Sequence, residues 1–196
     1  MTDRQPDLFS SLAAADVPAP GLVPGLSLSA DFLSPAEEAL LIRRIDAEPL
    51  ATFKFQQWEG KRMTVSFGWS YDFTAGRVER APPMPAWLQP IRERAARFAQ
   101  LRADDLVQAL LIRYDPGAGI GWHRDRPMFD QVLGISLGNP ALLRLRRRHD
   151  GGFERARAEL APRSIYRLSG EVRHHWEHSI TPMQVPRWSI TFRSLA

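Results

Sequence analysis

RWSITFRSL, residues 187–195, alternates two kinds of side chain. In an extended strand Arg187, Ser189, Thr191 and Arg193 share one face, while Trp188, Ile190 and Phe192 share the other, because strand side chains alternate with a period of two. The apolar face suits packing under helices. The polar face suits the inside of a barrel or of two facing sheets, where guanidinium groups are costly unless something anionic meets them. The two arginines have Cα positions ~20 Å apart at about 3.3 Å per residue, so their side chains must lean toward each other to bracket a small dianion. Arginine suits that task, since its planar fork grips a carboxylate bidentately. The ordinary alternative is that each arginine pairs with an Asp or Glu of the fold, or reaches solvent at a strand end.

The segments before this strand support a mainly β second half. LVQALLIRY (106–114), QVLGISLG (131–138), ALLRLRRR (141–148) and RSIYRLS (163–169) are short β-type runs separated by Gly, Pro or Asp turns. That spacing is expected of a barrel or a two-sheet jelly roll. The front half reads differently. SPAEEALLIRRIDAEP at 34–49 predicts a helix, with Ser34 as N-cap, Pro35 at N1 and Glu37 completing a capping box. Leu40, Leu41 and Ile45 form its expected apolar stripe, and Pro49 stops it. Residues 51–80 read as strand and turn: TFKFQQW, a turn at Glu59-Gly60, then RMTVSFGWSYDF. PMPAWLQPIRERAARFAQL at 83–101 predicts a second helix, with Trp87, Leu88, Ile91, Ala95 and Phe98 on one face. Residues 1–25, rich in Pro, Ala, Gly and Ser, read as an irregular arm.

With 196 residues the chain is long enough for one domain with a real core. It has no cysteine, which excludes disulfides, thiolate metal sites and cysteine nucleophiles and fits a reducing cytoplasm. No long apolar run marks the N-terminal stretch, so neither a signal peptide nor a membrane span is expected. The net charge is +4, and every basic residue but Lys54 and Lys61 is arginine. Such a balance favours a polyanionic partner such as nucleic acid, although an arginine-biased genome would produce it as well.

GWHRDRP, residues 121–127, carries the candidate chemistry. In an extended segment His123 and Asp125 point the same way. Two imidazoles and one carboxylate on one face of a divalent ion form the site of non-haem Fe(II) oxygenases. H-x-D supplies two ligands, and a third must come from His149 or from the cluster His174, His175 and His178. Alone, H-x-D more often marks a hydrogen-bonded surface histidine. The cluster HHWEH also matches the inverted zinc-protease motif H-x-x-E-H. That motif needs a helix and a further acidic ligand downstream, yet SGEVR and SITP leave little room for a helix, and no Asp or Glu follows Glu177.

Taken together, RYDPGAGIGWHRD (113–125), the ISLG strand, the YRLSG turn, HHWEHSI and the terminal R-x₅-R of RWSITFR resemble the AlkB family of Fe(II)- and 2-oxoglutarate-dependent dioxygenases. The match covers residues 107–195 in the family's order and spacing, and more loosely the front half through FGWSYDF and PPMPAWL. The resemblance implies an α+β, mainly β fold: a double-stranded β-helix, or jelly roll, with N-terminal helices and a substrate lid. On that reading residues 26–196 form a single dioxygenase domain, with helices and lid at 26–105 and the β-helix core at 106–196. It implies iron ligands His123, Asp125 and His178, and 2-oxoglutarate and O2 as co-substrates. It implies that Arg187 and the Tyr114 hydroxyl hold the distal carboxylate of 2-oxoglutarate, with Ser189 lining the pocket and Arg193 near the keto-acid end and the metal-bound aspartate.

Two positions depart from the family. Ile112 stands where many members carry an asparagine, and Pro127 where base-repairing members often carry an acidic residue. The implied activity is oxidative demethylation of alkylated DNA or RNA by a monomer acting away from membranes. Trp58, Trp69 and Tyr71 with Lys61 and Arg62 form the candidate lid contacts, and Arg126 a further substrate contact. Aromatic faces stack a flipped base, and cations meet phosphates. Trp69 and Tyr71 could equally be ordinary strand residues. RLRRRH at 144–149 could track a phosphate backbone or simply place Leu145 in the core. Two other readings remain: the same oxygenase chemistry on a protein side chain or metabolite, and a non-catalytic nucleic-acid-binding module.

Overall fold

The computed structural model describes residues 23–55, 58–72 and 77–196, without the side chains at 53–59 and 70–78. The predicted arm therefore falls almost wholly outside the described residues.

Two antiparallel sheets face each other, their strands numbered in chain order. The larger runs β1 (Leu26–Ser29), β11 (Ile165–Leu168), β8 (Phe129–Leu137), β13 (Arg187–Leu195), β6 (Leu106–Tyr114), β3 (Trp58–Phe67) and β2 (Ala51–Phe55). The smaller runs β10 (Gly152–Leu160), β9 (Ala141–His149), β12 (Glu177–Ile180) and β7 (Ile120–His123). A separate ribbon pairs β4 (Trp69–Asp72) with β5 (Arg77–Arg80). This is the mainly β jelly roll, a double-stranded β-helix, expected from the sequence.

The alternation in β13 divides two cores. Ile190 and Phe192, fully buried, pack with Leu111 and Ile135 against helices α1 (Pro35–Asp46) and α2 (Gln89–Phe98). Burying each such side chain contributes roughly 1.5–3 kcal/mol. Between the sheets lies the second core, where Ile112, Tyr114 and Tyr166 of the large sheet meet Leu143, Leu145 and Ile180 of the small one. Helix α1 is tied to the sheet by polar pins at both ends: Trp188 Nε1 donates to Asp46 Oδ1 at 2.8 Å, and the Gly138 amide to Glu38 Oε1 at 2.8 Å. Helix α1 starts as predicted: Ser34 Oγ accepts the Glu37 amide at 3.2 Å, and Glu37 Oε2 accepts the Ser34 amide at 2.8 Å.

Several expectations change. Leu40 is 47% exposed, so the stripe of α1 rests on Leu41 and Ile45. Glu59-Gly60 is not a turn but lies within β3; the pairs Phe55↔Trp58 and Lys54↔Glu59 put the connection at 56–57, outside the described residues. The second helix is shorter than predicted, a 3₁₀ turn at Ala86–Leu88 followed by α2. Strands β2 and β3, in the stretch read as lid, continue the large sheet beside β6, and β1 pairs with β11 at its other edge. A short helix α3 (Gly170–His175), unforeseen, precedes β12. Among the described residues no helix is long and apolar enough to cross a membrane.

Candidate active site

His123 and His178 are direct partners across β7 and β12. His178 also pairs with Leu145, which is buried, so both imidazoles face the interior between the sheets. Their ring centroids lie 4.2 Å apart. Asp125, just beyond the end of β7, returns its carboxylate to the same point, with Oδ2 3.5 Å from His178 Nε2. One ligand atom from each of His123, Asp125 and His178 lies within 4.8 Å of the other two. The H-x-x-E-H alternative fails on geometry, because α3 ends at His175 and Trp176 is already extended, leaving Glu177 and His178 on a strand.

The donor atoms of this cluster suit a cation. Burial pushes the His178 imidazole down to about 3. Burial also lowers His123, against the pull of Asp125. Both rings are therefore neutral. Burial alone would raise the Asp125 pKa, but the Arg193 guanidinium overcomes it and holds the carboxyl well below the usual range. Asp125 Oδ1 accepts from Arg193 at 2.7 Å, whereas Oδ2 is buried with no hydrogen-bond partner. A buried carboxylate oxygen aimed at two neutral imidazoles suits a divalent ion. His123 Nδ1 donates to the Gly121 carbonyl at 2.9 Å, which fixes the tautomer and leaves Nε2 free for a metal.

The carboxylate-binding candidates lie in the adjoining cavity. Arg187 is directly opposite Tyr114 across β13 and β6, its guanidinium 5.0 Å from the ring centroid. It is 1% exposed, and Nε and Nη2 donate to Ser136 Oγ at 3.3 and 3.1 Å. Nη1 is buried without a hydrogen-bond partner. Ser189, buried, shares that wall with Ile112 and Tyr166. Three guanidinium groups, from Arg62, Arg187 and Arg193, face this cavity against one carboxylate, Asp125. A dicarboxylate such as 2-oxoglutarate fits that excess.

Sequence reasoning did not single out Ser136, Tyr166 or Gln108. Gln108 shares the inward parity of Tyr114 on β6, and its Oε1 accepts from Arg193 at 2.8 Å while Nε2 donates to the Trp69 carbonyl at 2.8 Å. Alternation along LVQALLIRY was the available signal. Tyr166, its hydroxyl pushed up to about 12 by burial, stands directly opposite Gly134. A Cβ at Gly134 would fall inside the Tyr166 ring. Gly134→Ala is expected to drive that ring into the cavity, destabilising the fold by about 1–3 kcal/mol and weakening 2-oxoglutarate binding. Urea unfolding and titration calorimetry would measure both. An unchanged urea midpoint would count against this packing.

The candidate substrate residues fare unevenly. A cleft of about 750 Å³ opens over His123 and Asp125, lined among others by Arg62, Trp122, Arg126, Phe129, Arg173 and Glu177, while His178 lines the inner cavity. Arg126 is thus at the cleft, and its carbonyl accepts from Arg173 at 2.6 Å. Arg62 lines both the cleft and the inner cavity, and burial lowers its pKa against the pull of the Tyr114 hydroxyl; it is an inner wall residue rather than a surface cation. Lys61 is exposed on β3. The Trp69 ring lies 5.6 Å from the Arg80 guanidinium and is not among the side chains that line the cleft. The side chains of Trp58 and Tyr71 lie outside the described residues. Pro127 lines the cleft, and Glu177, a carboxylate there besides Asp125, is engaged by Arg146 at 2.6 Å.

Comparison with known proteins agrees with this geometry. Residues 25–193 match the model of the 2OG-Fe(II) oxygenase superfamily. Over 172 residues the chain is 30% identical to the tRNA (carboxymethyluridine(34)-5-O)-methyltransferase alkbh8 of Xenopus tropicalis, covering 85% of this chain and 27% of that protein. It is 28% identical to the Alkylated DNA repair protein ALKBH8 homolog of Arabidopsis thaliana, covering 81% of this chain and 51% of that one. The chain thus spans between about a quarter and a half of these curated relatives. The solved structure of OsALKBH1 superposes with a TM-score of 0.69 at 17% identity, covering 88% of this chain and 98% of that one. A Pseudomonas putida prolyl-4-hydroxylase superposes at 0.60 with 20% identity, covering 88% and 93%. These two likenesses establish the fold. With the family comes dioxygenase chemistry that uses Fe(II), 2-oxoglutarate and O2, which sets aside the non-catalytic module. This chain is a member of the 2OG-Fe(II) oxygenase superfamily, of AlkB type.

Proposed function

We propose that the protein oxidises alkylated bases in DNA or RNA, with iron held by His123, Asp125 and His178 and the distal carboxylate of 2-oxoglutarate held by Arg187 and Tyr114. In this reading residues 26–196 act as one dioxygenase domain, a cytoplasmic monomer. The observation that carries it is the cleft itself. His123 and Asp125 line it, its rim carries the partly exposed Trp122 ring and Arg126, and the buried Phe129 and Arg173 back its wall. Such a rim suits a flat base with phosphates beside it. Relatives named for tRNA modification and for alkylated-DNA repair support the same substrate class.

Bound Fe(II) with 2-oxoglutarate supplies an oxidant that converts a C–H bond to C–OH, while 2-oxoglutarate and O2 end as succinate and CO2. The chain does the rest. Arg193 keeps Asp125 ionised, the Gly121 carbonyl orients His123, and Arg187 with Ser136 sets the carboxylate end of the cavity. Arg193 is itself held by Gln108, which ties it to the backbone of β4. If the oxidised carbon is an N-methyl group, the hydroxymethyl product releases formaldehyde and leaves the nitrogen demethylated.

The test is anaerobic reconstitution with Fe(II) and 2-oxoglutarate, followed by admission of O2 in the presence of N-methylated oligonucleotides. A weak visible charge-transfer band is expected, then succinate and formaldehyde that rise together, all lost in His123→Ala and Arg187→Ala. Succinate stimulated by peptides or metabolites but by no oligonucleotide would move the substrate to the protein or small-molecule class.

A further inference from the structure

The outer face of the small sheet carries a stripe of arginines that the oxygenase chemistry does not use. In β9, Leu143 and Leu145 point inward, which turns Arg144, Arg146 and Arg148 outward. In β10, Ala158 and Leu160 point inward and Arg155 and Arg157 outward. The register sets these rows side by side, Arg155 opposite Arg146 and Arg157 opposite Arg144. Like charges directly opposite on a sheet destabilise it. Neutralisation within the fold is slight. Arg146 pairs with Glu177 at 2.6 Å, and Arg144 donates to the Ser179 hydroxyl at 3.0 Å. Glu159 stands one outward position beyond Arg157 and ends the stripe. Among the described residues no carboxylate is ion-paired with Arg144, Arg148, Arg155 or Arg157. Arg147, by contrast, is matched by Glu154 and Glu171 at 2.6 and 2.8 Å.

Aromatic rings hold the stripe in place and join it to the cleft. Arg146 lies between Trp122 and Phe153, 4.4 and 4.5 Å from their centroids, and Arg144 is 5.0 Å from Trp122. A guanidinium stacked on a ring keeps its N–H edges free for an anion. Trp122 is also a wall of the active-site cleft. A second hollow of about 730 Å³, lined by Arg146, Arg148 and Phe153, shares Arg124 and Glu177 with that cleft. Successive outward arginines on one strand sit about 6.6 Å apart, of the order of the step between phosphates along an extended nucleic-acid strand.

We infer that this face binds the phosphodiester backbone of the nucleic acid whose modified nucleotide enters the cleft, the strand leaving past Trp122 and Arg124 onto the outer surface of β9 and β10. The inference rests on the nucleic-acid reading above. It is tested by fluorescence anisotropy with a labelled, unmodified single-stranded DNA 20-mer across a salt series. The wild type is compared with Arg148→Ser/Arg155→Ser/Arg157→Ser and with Arg43→Ser/Arg44→Ser/Arg97→Ser, which removes the same charge from the exposed faces of α1 and α2. All six positions are exposed, so both variants should melt close to wild type. The stripe variant should bind at least tenfold more weakly at low salt, its log–log salt slope reduced by about 2, at roughly 0.7 per lost phosphate contact. The helix variant should stay near wild type. Equal losses in both variants, or none in either, would overturn the stripe while succinate formation with methylated oligonucleotides still upheld the substrate class. Wild-type binding to phosphatidylserine vesicles but not to the 20-mer would make the face a membrane surface and overturn the inference. Absence of succinate with every oligonucleotide would sink the substrate reading itself.

Discussion

Arg187→Met is expected to leave the protein at least as stable as wild type in the absence of 2-oxoglutarate, and to weaken 2-oxoglutarate binding at least thirtyfold. Residue 187 is 1% exposed, its guanidinium Nη1 has no hydrogen-bond partner, and Nε and Nη2 both donate to the neutral Ser136 hydroxyl. A cation in that position is desolvated without an anion. Replacing buried ionic groups by apolar residues of similar volume is commonly neutral or stabilising by about 1–4 kcal/mol. For a domain of this size that is a rise in Tm of up to roughly 10 °C. Removing one partner of a buried charge pair costs about 2–5 kcal/mol, which predicts 2-oxoglutarate affinity at least thirtyfold weaker. In wild type, 2-oxoglutarate at a hundred times its Kd should stabilise the fold by about 2.7 kcal/mol; in Arg187→Met the same addition should stabilise it by no more than about 0.9 kcal/mol. Arg187→Lys should not restore affinity, since an ammonium lacks the fork. Thermal melts with and without 2-oxoglutarate decide it. A variant that melts several degrees lower and responds like wild type to 2-oxoglutarate would mean that Arg187 serves the fold alone.

The same strand shows how much of the architecture was legible beforehand. Period-two alternation in RWSITFRSL separated the helix-packed core from the cavity, and the observed burial of Ile190, Phe192, Arg187 and Ser189 follows it. The capping box at Ser34 was equally readable, because both of its hydrogen bonds are local. What escaped depends on neighbours distant in the chain. Leu40 looks like Leu41 to any periodicity argument, yet only the packing of α1 against the large sheet leaves one exposed and the other buried. The Glu59-Gly60 turn failed because its composition favours a turn, while pairing of β3 with both β2 and β6 holds those residues extended.

At the site, the H-x-D spacing placed two groups side by side because it is a property of extended chain. The choice of His178 from the cluster required family resemblance, since only the pairing of β12 with β7 sets it opposite His123. Ser136, Gln108 and Tyr166 carried no motif of their own. They matter through contacts to Arg187, Arg193 and Gly134 that span dozens of residues. Where Trp69 and Arg62 lie was hidden for the same reason. Both read as lid contacts, yet the Trp69 ring lies by Arg80 while Arg62 lines the cleft and the inner cavity.

Asp125→Ala should abolish succinate formation and also lower stability by about 3–5 kcal/mol, because removing one partner leaves Arg193 as an uncompensated buried charge. Arg193 Nε and Nη2 both lie 2.7 Å from Asp125 Oδ1, with Nη1 on Gln108. Loss of turnover in that single variant could therefore come from unfolding rather than from a missing iron ligand. The double variant Asp125→Ala/Arg193→Met separates the two causes. With both charges gone the desolvation penalty disappears, so most of the lost stability should return, while turnover stays at background because the carboxylate is still absent. Arg193→Met alone should also lose activity, for a different reason. Without the guanidinium, burial is opposed by less and the Asp125 pKa rises, so the carboxylate binds a cation more weakly. Urea unfolding of the metal-free proteins gives the coupling energy, and succinate assays give the activities. A double variant as unstable as Asp125→Ala would show that the pair is not the source of the penalty. Turnover in the double variant would remove Asp125 from the proposed iron site.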